Sequence, residues 1–237
     1  GLTVLRRIAE RLPEEPIVYL GDTARVPYGT KSAETVVRYA RACANVLVDR
    51  GIKLLVVACN TASAHALEVL QEELDVPVLG VIEPGARRAV DATRNGRIGI
   101  IGTAGTIASG SYQEAIHALA PETEVFCRAC PLFVPLAEEG WTRGPVPTQV
   151  AHEYLDDLVA RGIDTLVLGC THYPLLRDVI AETVGDGVTI VDSAEATSAV
   201  VEEILDSLDM RAQGNGDPGP CRFLATDAPQ NLTRVGE

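Results

Sequence analysis

The chain is 237 residues long, 46% hydrophobic and formally charged at −13. That length accommodates two domains with real cores, and the acidic balance argues against a surface built for nucleic acid or anionic membrane. No apolar run approaches the roughly 20 residues of a membrane helix and no signal peptide is visible, while six irregularly spaced cysteines suit free thiols in a reducing, cytoplasmic compartment.

Residues 1–12 read as an amphipathic helix, with apolar side chains at 2, 5, 8, 9 and 12. A helix on a parallel sheet normally follows a strand, and the first residue is Gly rather than Met, so a preceding strand in the native protein is expected. A strand is predicted over 17–21, then a loop over 22–30 that contains Pro27-Tyr28-Gly29. A helix over 32–50, with Thr30 or Ser32 as its cap, precedes strand 54–58, helix 61–74 and strand 77–82. Glu83-Pro84-Gly85 reads as a break, after which a helix over 86–94 opens the second half.

Strand 97–102 runs into Thr103-Ala-Gly-Thr106 and a helix ending near Leu119, followed by a short strand over 124–129. Residues 131–147 look irregular; helix 148–161, strand 165–169, helix 174–183 and strand 188–191 complete the half. A helix over 194–207, a loop over 213–220, a strand over 223–225 and a helix over 232–237 end the chain.

One stretch occurs twice. Segments 50–61 and 161–172 align without a gap and share Arg, Gly, Ile, Leu, Val and Cys, which places Cys59 and Cys170 at an offset of 111 residues. Each copy reads as a helix end, a Gly turn, a buried strand and a Cys where the strand stops. Runs such as Leu54-Leu-Val-Val-Ala58 are apolar without alternation, as in parallel strands covered on both faces. The expected fold is therefore α/β: two similar lobes of mainly parallel sheet flanked by helices, related by a pseudo-twofold repeat. Their expected limits are 1–84 with 194–237, and 85–193. Ligands of such sheets bind beyond the carboxyl ends of the strands, so the two thiols are expected on either side of one cleft.

Cysteines are commonly buried in cores, but Cys59 and Cys170 each precede polar residues and a predicted helix, and a helix N-terminus favours thiolate. His172, two residues after Cys170, could be a surface or capping residue, or its acid–base partner. Asn60, Thr61 and Thr171 suit helix caps, a role compatible with binding an anion at the same helix N-terminus. Cys127-Arg-Ala-Cys130 is one C-x-x-C pair without the second pair that structural zinc needs, so core packing and no metal are expected. Gly102-Thr103-Ala-Gly-Thr106 after a strand is a weak anion-loop signal, and Glu138-Glu139 reads most simply as a solvated loop.

Taken together, Gly21-Asp22-Thr23, Val26-Pro27-Tyr28-Gly29, Ala58-Cys59-Asn60-Thr61-Ala62, Cys130-Pro-Leu-Phe-Val-Pro-Leu136 and Gly169-Cys170-Thr171-His172-Tyr173-Pro174 resemble the glutamate racemases of the aspartate/glutamate racemase family. The resemblance spans essentially the whole chain in order. It implies a cofactor-free enzyme interconverting L- and D-glutamate for peptidoglycan synthesis, with Cys59 and Cys170 transferring protons and His172 assisting Cys170. It implies substrate contacts from Tyr28, Gly29, Asn60, Thr61, Thr171 and His172, with Thr103 and Thr106 at the edge. An accessory acidic residue falls at Glu138, or one place on at Glu139. Family members carry Asp-Ser-Gly-x-Gly-Gly before Leu-Thr-Val-Leu, and this sequence begins at the last of those glycines, so the Asp and Ser are expected to precede it.

Inversion at an α-carbon needs proton removal on one face and delivery on the other, which an opposed thiolate and thiol provide. Without pyridoxal phosphate, donors around the α-carboxylate must stabilise the carbanion. Only Lys31 and Lys53 are present to form a Schiff base, and neither is predicted at a strand's carboxyl end. Rival readings are a racemase for aspartate or another amino acid, a Cys170–His172 thiol hydrolase or lyase, and a non-catalytic amino-acid-binding module. A homodimer is left open.

Overall fold

The computed structural model describes residues 1–213 and 216–227. The helix predicted over 232–237 lies outside the described residues. The chain divides into two compact units, Gly1–Val81 with Ala194–Glu237, and Ile82–Ser193.

In the first unit the chain forms α1 (Leu2–Arg11), β1 (Ile17–Gly21), α2 (Ala33–Val48), β2 (Leu55–Val57), α3 (Asn60–Glu73) and β3 (Val78–Gly80). Ser32 caps α2 by accepting from the Thr35 N–H at 3.4 Å, so the cap falls on the second of the two expected residues. Val36, Ala40 and Ala44 of α2 meet Ala62, Ala66 and Leu70 of α3 over Leu55, Val57 and Val78. The small residues let two helices pack closely over short strands.

The second unit begins with α4 (Ile82–Ala92), β4 (Arg97–Gly102), α5 (Ala104–Ala108), α6 (Ser111–Leu119), β5 (Glu124–Ala129), α7 (Phe133–Glu138) and α8 (Pro145–Ala160). It continues through β6 (Thr165–Gly169), a 3₁₀ helix (Tyr173–Leu176), α9 (Arg177–Val184) and β7 (Thr189–Asp192). The chain then returns to the first unit through α10 (Ser193–Ser207) and β8 (Cys221–Ala225).

Every strand pairing among the described residues is parallel. The second unit has one four-stranded sheet in the order β5-β4-β6-β7, whereas the first has two separate pairs, β1-β8 and β2-β3. All five residues of β6 are buried, as its apolar run requires of a strand covered on both faces. Ile101, Leu155, Leu166, Leu168 and Ile180 fill the core beside it. There Phe133 meets Tyr154 and Tyr173 edge-on at 5.3 and 5.2 Å between ring centroids.

Four local expectations are corrected. Glu83-Pro84-Gly85 does not break the chain but lies in the first turn of α4, where a proline forfeits no intrahelical hydrogen bond. The helix predicted to end near Leu119 is split by Ser109 and Gly110, whose φ of 73° is left-handed. Residues 131–147 are not wholly irregular: α7 forms with Pro135 in its first turn, and α8 begins at Pro145. After Cys170 comes a turn and the 3₁₀ helix, so that thiol does not sit at an α-helix N-terminus.

Candidate active site

In the second unit the site is built at the carboxyl edge of the sheet. Gly102 of β4 pairs with Gly169 of β6, so Thr103 and Cys170 leave adjacent strands on the same edge. A Cβ at Gly169 would lie 2.7 Å from the Ile101 carbonyl oxygen and 3.1 Å from the Tyr112 ring, and only glycine permits that approach. Cys170 is 7% exposed, and its Sγ stands 3.7 Å from His172 Nδ1. His172 Nε2 is in turn 3.4 Å from Glu138 Oε1 at the end of α7.

Thiol, imidazole and carboxylate thus form a short series. A carboxylate beside Nε2 favours the proton on that nitrogen and leaves Nδ1 to exchange a proton with sulfur. Glu138 is the residue that reaches His172; Glu139 follows as the exposed C-cap of α7. Behind the thiol, the Tyr173 hydroxyl donates to the Cys130 carbonyl at 2.8 Å. Burial, then the neighbouring Cys170, pushes the Tyr173 phenol far up, so it stays protonated and acts as a fixed donor. Thr103 caps α5, accepting from the Thr106 N–H at 3.2 Å, and the two hydroxyls lie 3.1 Å apart.

The first unit presents the repeat's other copy. Cys59 is the N-cap of α3, with Asn60 and Thr61 buried in the first turn beneath it. Peptide N–H groups converge at such a terminus and favour negative charge. Ser63 ties this turn to the strands: its hydroxyl donates to Val57 O at 2.8 Å and accepts from Val81 N at 3.2 Å. Tyr28 and Cys59 pack against the same hydrophobic cluster. Tyr19 has its phenol pushed up to about 12 by burial and by Cys59.

In the second unit, Cys170, His172 and Glu138 lie in series, Thr171 falls between the first two, and Thr103 and Thr106 leave the neighbouring strand at the same edge. In the first, Cys59, Asn60 and Thr61 open α3, while Tyr28 and Gly29 lie in the loop after β1, Tyr28 packing against the same hydrophobic cluster as Cys59. Tyr19, Tyr112 and Tyr173 were not singled out as site residues from sequence. Only the strand pairing, which sets Tyr112 behind Gly169, could have signalled it. Of the C-x-x-C pair, Cys130 is fully buried in the second unit's cluster, whereas Cys127, in β5, is half-buried. Burial pushes the Cys127 thiol up to about 11 and the Cys130 thiol up as well. Among the described residues no group of three or more His, Cys, Asp and Glu side chains is arranged to hold a metal.

Residues 2–201 match the Asp/Glu/hydantoin racemase family. The chain belongs to that family. Glutamate racemase from Geobacter metallireducens is 58% identical to it over 236 residues, spanning 100% of this chain and 87% of that protein. The crystal structure of a glutamate racemase isoform from Bacillus anthracis matches with a TM-score of 0.95 at 42% identity, covering 100% of this chain and 88% of its own. Glutamate racemase from Francisella tularensis, solved in complex with D-glutamate, matches with a TM-score of 0.93 at 36% identity, with the same coverage of 100% and 88%. A thiol, an imidazole and a carboxylate in series can pass a proton without forming a covalent intermediate. Lys53 is committed elsewhere, its ammonium 2.7 Å from Glu15, and no helix among the described residues is long and apolar enough to cross a membrane.

Proposed function

We propose that this chain is a cofactor-independent glutamate racemase in which Cys59 and Cys170 are the two proton-transfer groups. The observation that carries the reading is the repeat itself: one thiol ends β2 and another ends β6, in a chain of which nearly all resembles glutamate racemases. In the L-to-D direction the thiolate of Cys170 takes the α-proton, assisted by His172 and oriented through Glu138. The electron pair left on the α-carbon delocalises into the α-carboxylate, and the Cys59 thiol returns a proton to the opposite face. The reverse direction exchanges the two roles.

Hydroxyls and N–H groups of Asn60, Thr61, Thr103, Thr106 and Thr171 are suited to hold the carboxylates and to meet the charge that grows in the transition state. Tyr28 and Gly29 line the substrate from the loop after β1. The product serves peptidoglycan synthesis, and the reading is of a cytoplasmic enzyme, with a homodimer open to sedimentation analysis. A thiol hydrolase would need one essential Cys and a covalent intermediate; the duplicated thiol favours racemisation.

The test is incubation with L-glutamate in D₂O. Optical rotation should decay while the α-proton signal disappears in step, with deuterium in both enantiomers and no ammonia released. Persistence of the α-proton signal over many hours of incubation would contradict the proposal.

A further inference from the structure

The loop after β1 contains a polar cluster that the mechanism does not use. Asp22 is 8% exposed at its side chain, yet it receives three donors. Arg25 Nε donates to its Oδ1 at 2.8 Å, the Thr226 hydroxyl donates to the same oxygen at 2.9 Å, and the Tyr28 hydroxyl donates to Oδ2. Arg25 also lies over the Tyr39 ring at 4.7 Å, and Tyr39 packs against Tyr28 with 6.0 Å between centroids. Thr226 follows β8 directly and is itself fixed to the loop. Its hydroxyl accepts from Ala24 N at 3.0 Å, and its own N–H donates to Gly21 O at 3.1 Å. The Asp227 N–H adds a donation to the Thr23 hydroxyl at 3.0 Å.

We infer that Asp22 is a positioning residue: its carboxylate, braced by Arg25 and Thr226, clamps the 22–29 loop so that Tyr28 and Gly29 are presented to the substrate in one geometry. This rests on the proposed substrate contacts of Tyr28 and Gly29. A carboxylate is needed there because it accepts at both oxygens, whereas an asparagine would turn a donor toward one of three groups that are already donors. The cluster also assigns Tyr28 its part. With its hydroxyl held by Asp22, and its phenol pushed up by burial and then by that bond, the ring is an anchor rather than an acid. The device joins segments 204 residues apart in sequence, since the hydroxyl that completes it belongs to Thr226, just after β8.

Binding geometry then depends on Asp22 while the proton transfers at sulfur do not. In Asp22→Asn, glutamate KM should rise about tenfold through loss of charge-assisted hydrogen bonds, while kcat stays within about threefold of the unaltered chain. Thr226→Val should shift KM in the same direction by less, and Thr226→Ser, which keeps the hydroxyl, should restore it. An arm independent of activity uses Arg25 itself. Trypsin cleavage after Arg25, followed by mass spectrometry, should become about tenfold faster in Asp22→Asn as the loop opens locally, with cleavage at other sites unchanged.

Unchanged cleavage after Arg25 overturns the clamp. Faster cleavage with an unchanged KM overturns its role in presenting substrate, as does a loss of kcat that tracks a general fall in melting temperature. If the unaltered chain does not racemise glutamate, the proposed function falls instead, and the tryptic arm alone still decides whether Asp22 holds the loop.

Discussion

The two units start from the same twelve-residue pattern and finish its thiol differently. In both, the helix before the strand ends at a glycine in the left-handed region, Gly51 at φ 71° and Gly162 at φ 73°. In both, a buried strand then delivers a cysteine to the carboxyl edge of a parallel pair. Beyond that point they diverge. Cys59 is half-buried and is itself the N-cap of a 14-residue helix. Cys170 is nearly buried, is followed by a turn, and has an imidazole backed by a carboxylate. The repeat therefore fixes where each sulfur stands, while the residues after it decide how each sulfur handles a proton. On the proposed mechanism, one thiol has a helix terminus beside it and the other has His172 and Glu138.

The largest effect that probes this difference comes from His172→Gln. The enantiomers are equal in free energy, so kcat/KM must fall equally in both directions, by about a hundredfold for loss of an acid–base partner. The asymmetry shows in primary deuterium isotope effects. With proton transfer at Cys170 made slower, the effect should grow for L-[2-²H]glutamate and shrink for the D-enantiomer. Equal effects would mean that His172 serves both thiols.

The strand ends offer a second comparison. In Gly169→Ala the new methyl meets backbone at 2.7 Å, whereas in Gly80→Ala it meets the movable tip of Leu67 at 2.8 Å. Overpacking against a rigid backbone should cost about 3 kcal/mol, and against a side chain that can turn aside about 1 kcal/mol. Chemical denaturation of the two variants checks the order. A reversed order would show that the β6 edge yields more readily than its hydrogen-bonded neighbours suggest.

The sequence made much of this arrangement legible because the signals were local. The unbroken apolar runs of β4 and β6, the Gly turns, and the Cys at each strand end all report on a few consecutive residues. What stayed hidden depended on tertiary context. Pro84 reads as part of a break and Pro135 sits in a stretch that reads as irregular, but each falls in a first turn where its missing N–H costs nothing. Glu138 could be told from Glu139 only once α7 had been set beside the turn after β6. The partners of Asp22 include a hydroxyl more than 200 residues away, which no spacing rule could find. The division of the first unit's strands into two separate pairs was likewise invisible in its hydrophobic pattern.

The smallest effect concerns the second unit's other thiols. Burial raises the folded-state values of Cys127, to about 11, and of Cys130 above the ordinary thiol value of 9.0. Below that ordinary value both states keep their protons and the stability is fully present. Above it the unfolded chain releases protons that the folded chain retains, so stability is lost as pH rises toward the folded value. Each thiol contributes a slope of up to about 1.4 kcal/mol per pH unit. Denaturant unfolding followed by Trp141, the sole tryptophan and a reporter within the second unit, should show this decline between about pH 9 and pH 11. The double variant Cys127→Ala, Cys130→Ala should flatten it; an unchanged slope would point to other groups.

The central claim, that one thiol serves each enantiomer, is tested most directly by serine variants and the two enantiomers of a β-chloro analogue of glutamate. Removal of the α-proton there expels chloride, so a single base suffices and no second proton transfer is required. Serine keeps the shape of cysteine but is far less acidic. Cys59→Ser should release chloride from the L-analogue only, through Cys170, and Cys170→Ser from the D-analogue only, through Cys59, while neither racemises glutamate at the full rate. Loss of the same enantiomer by both variants, or full racemisation by either, would contradict the two-thiol account.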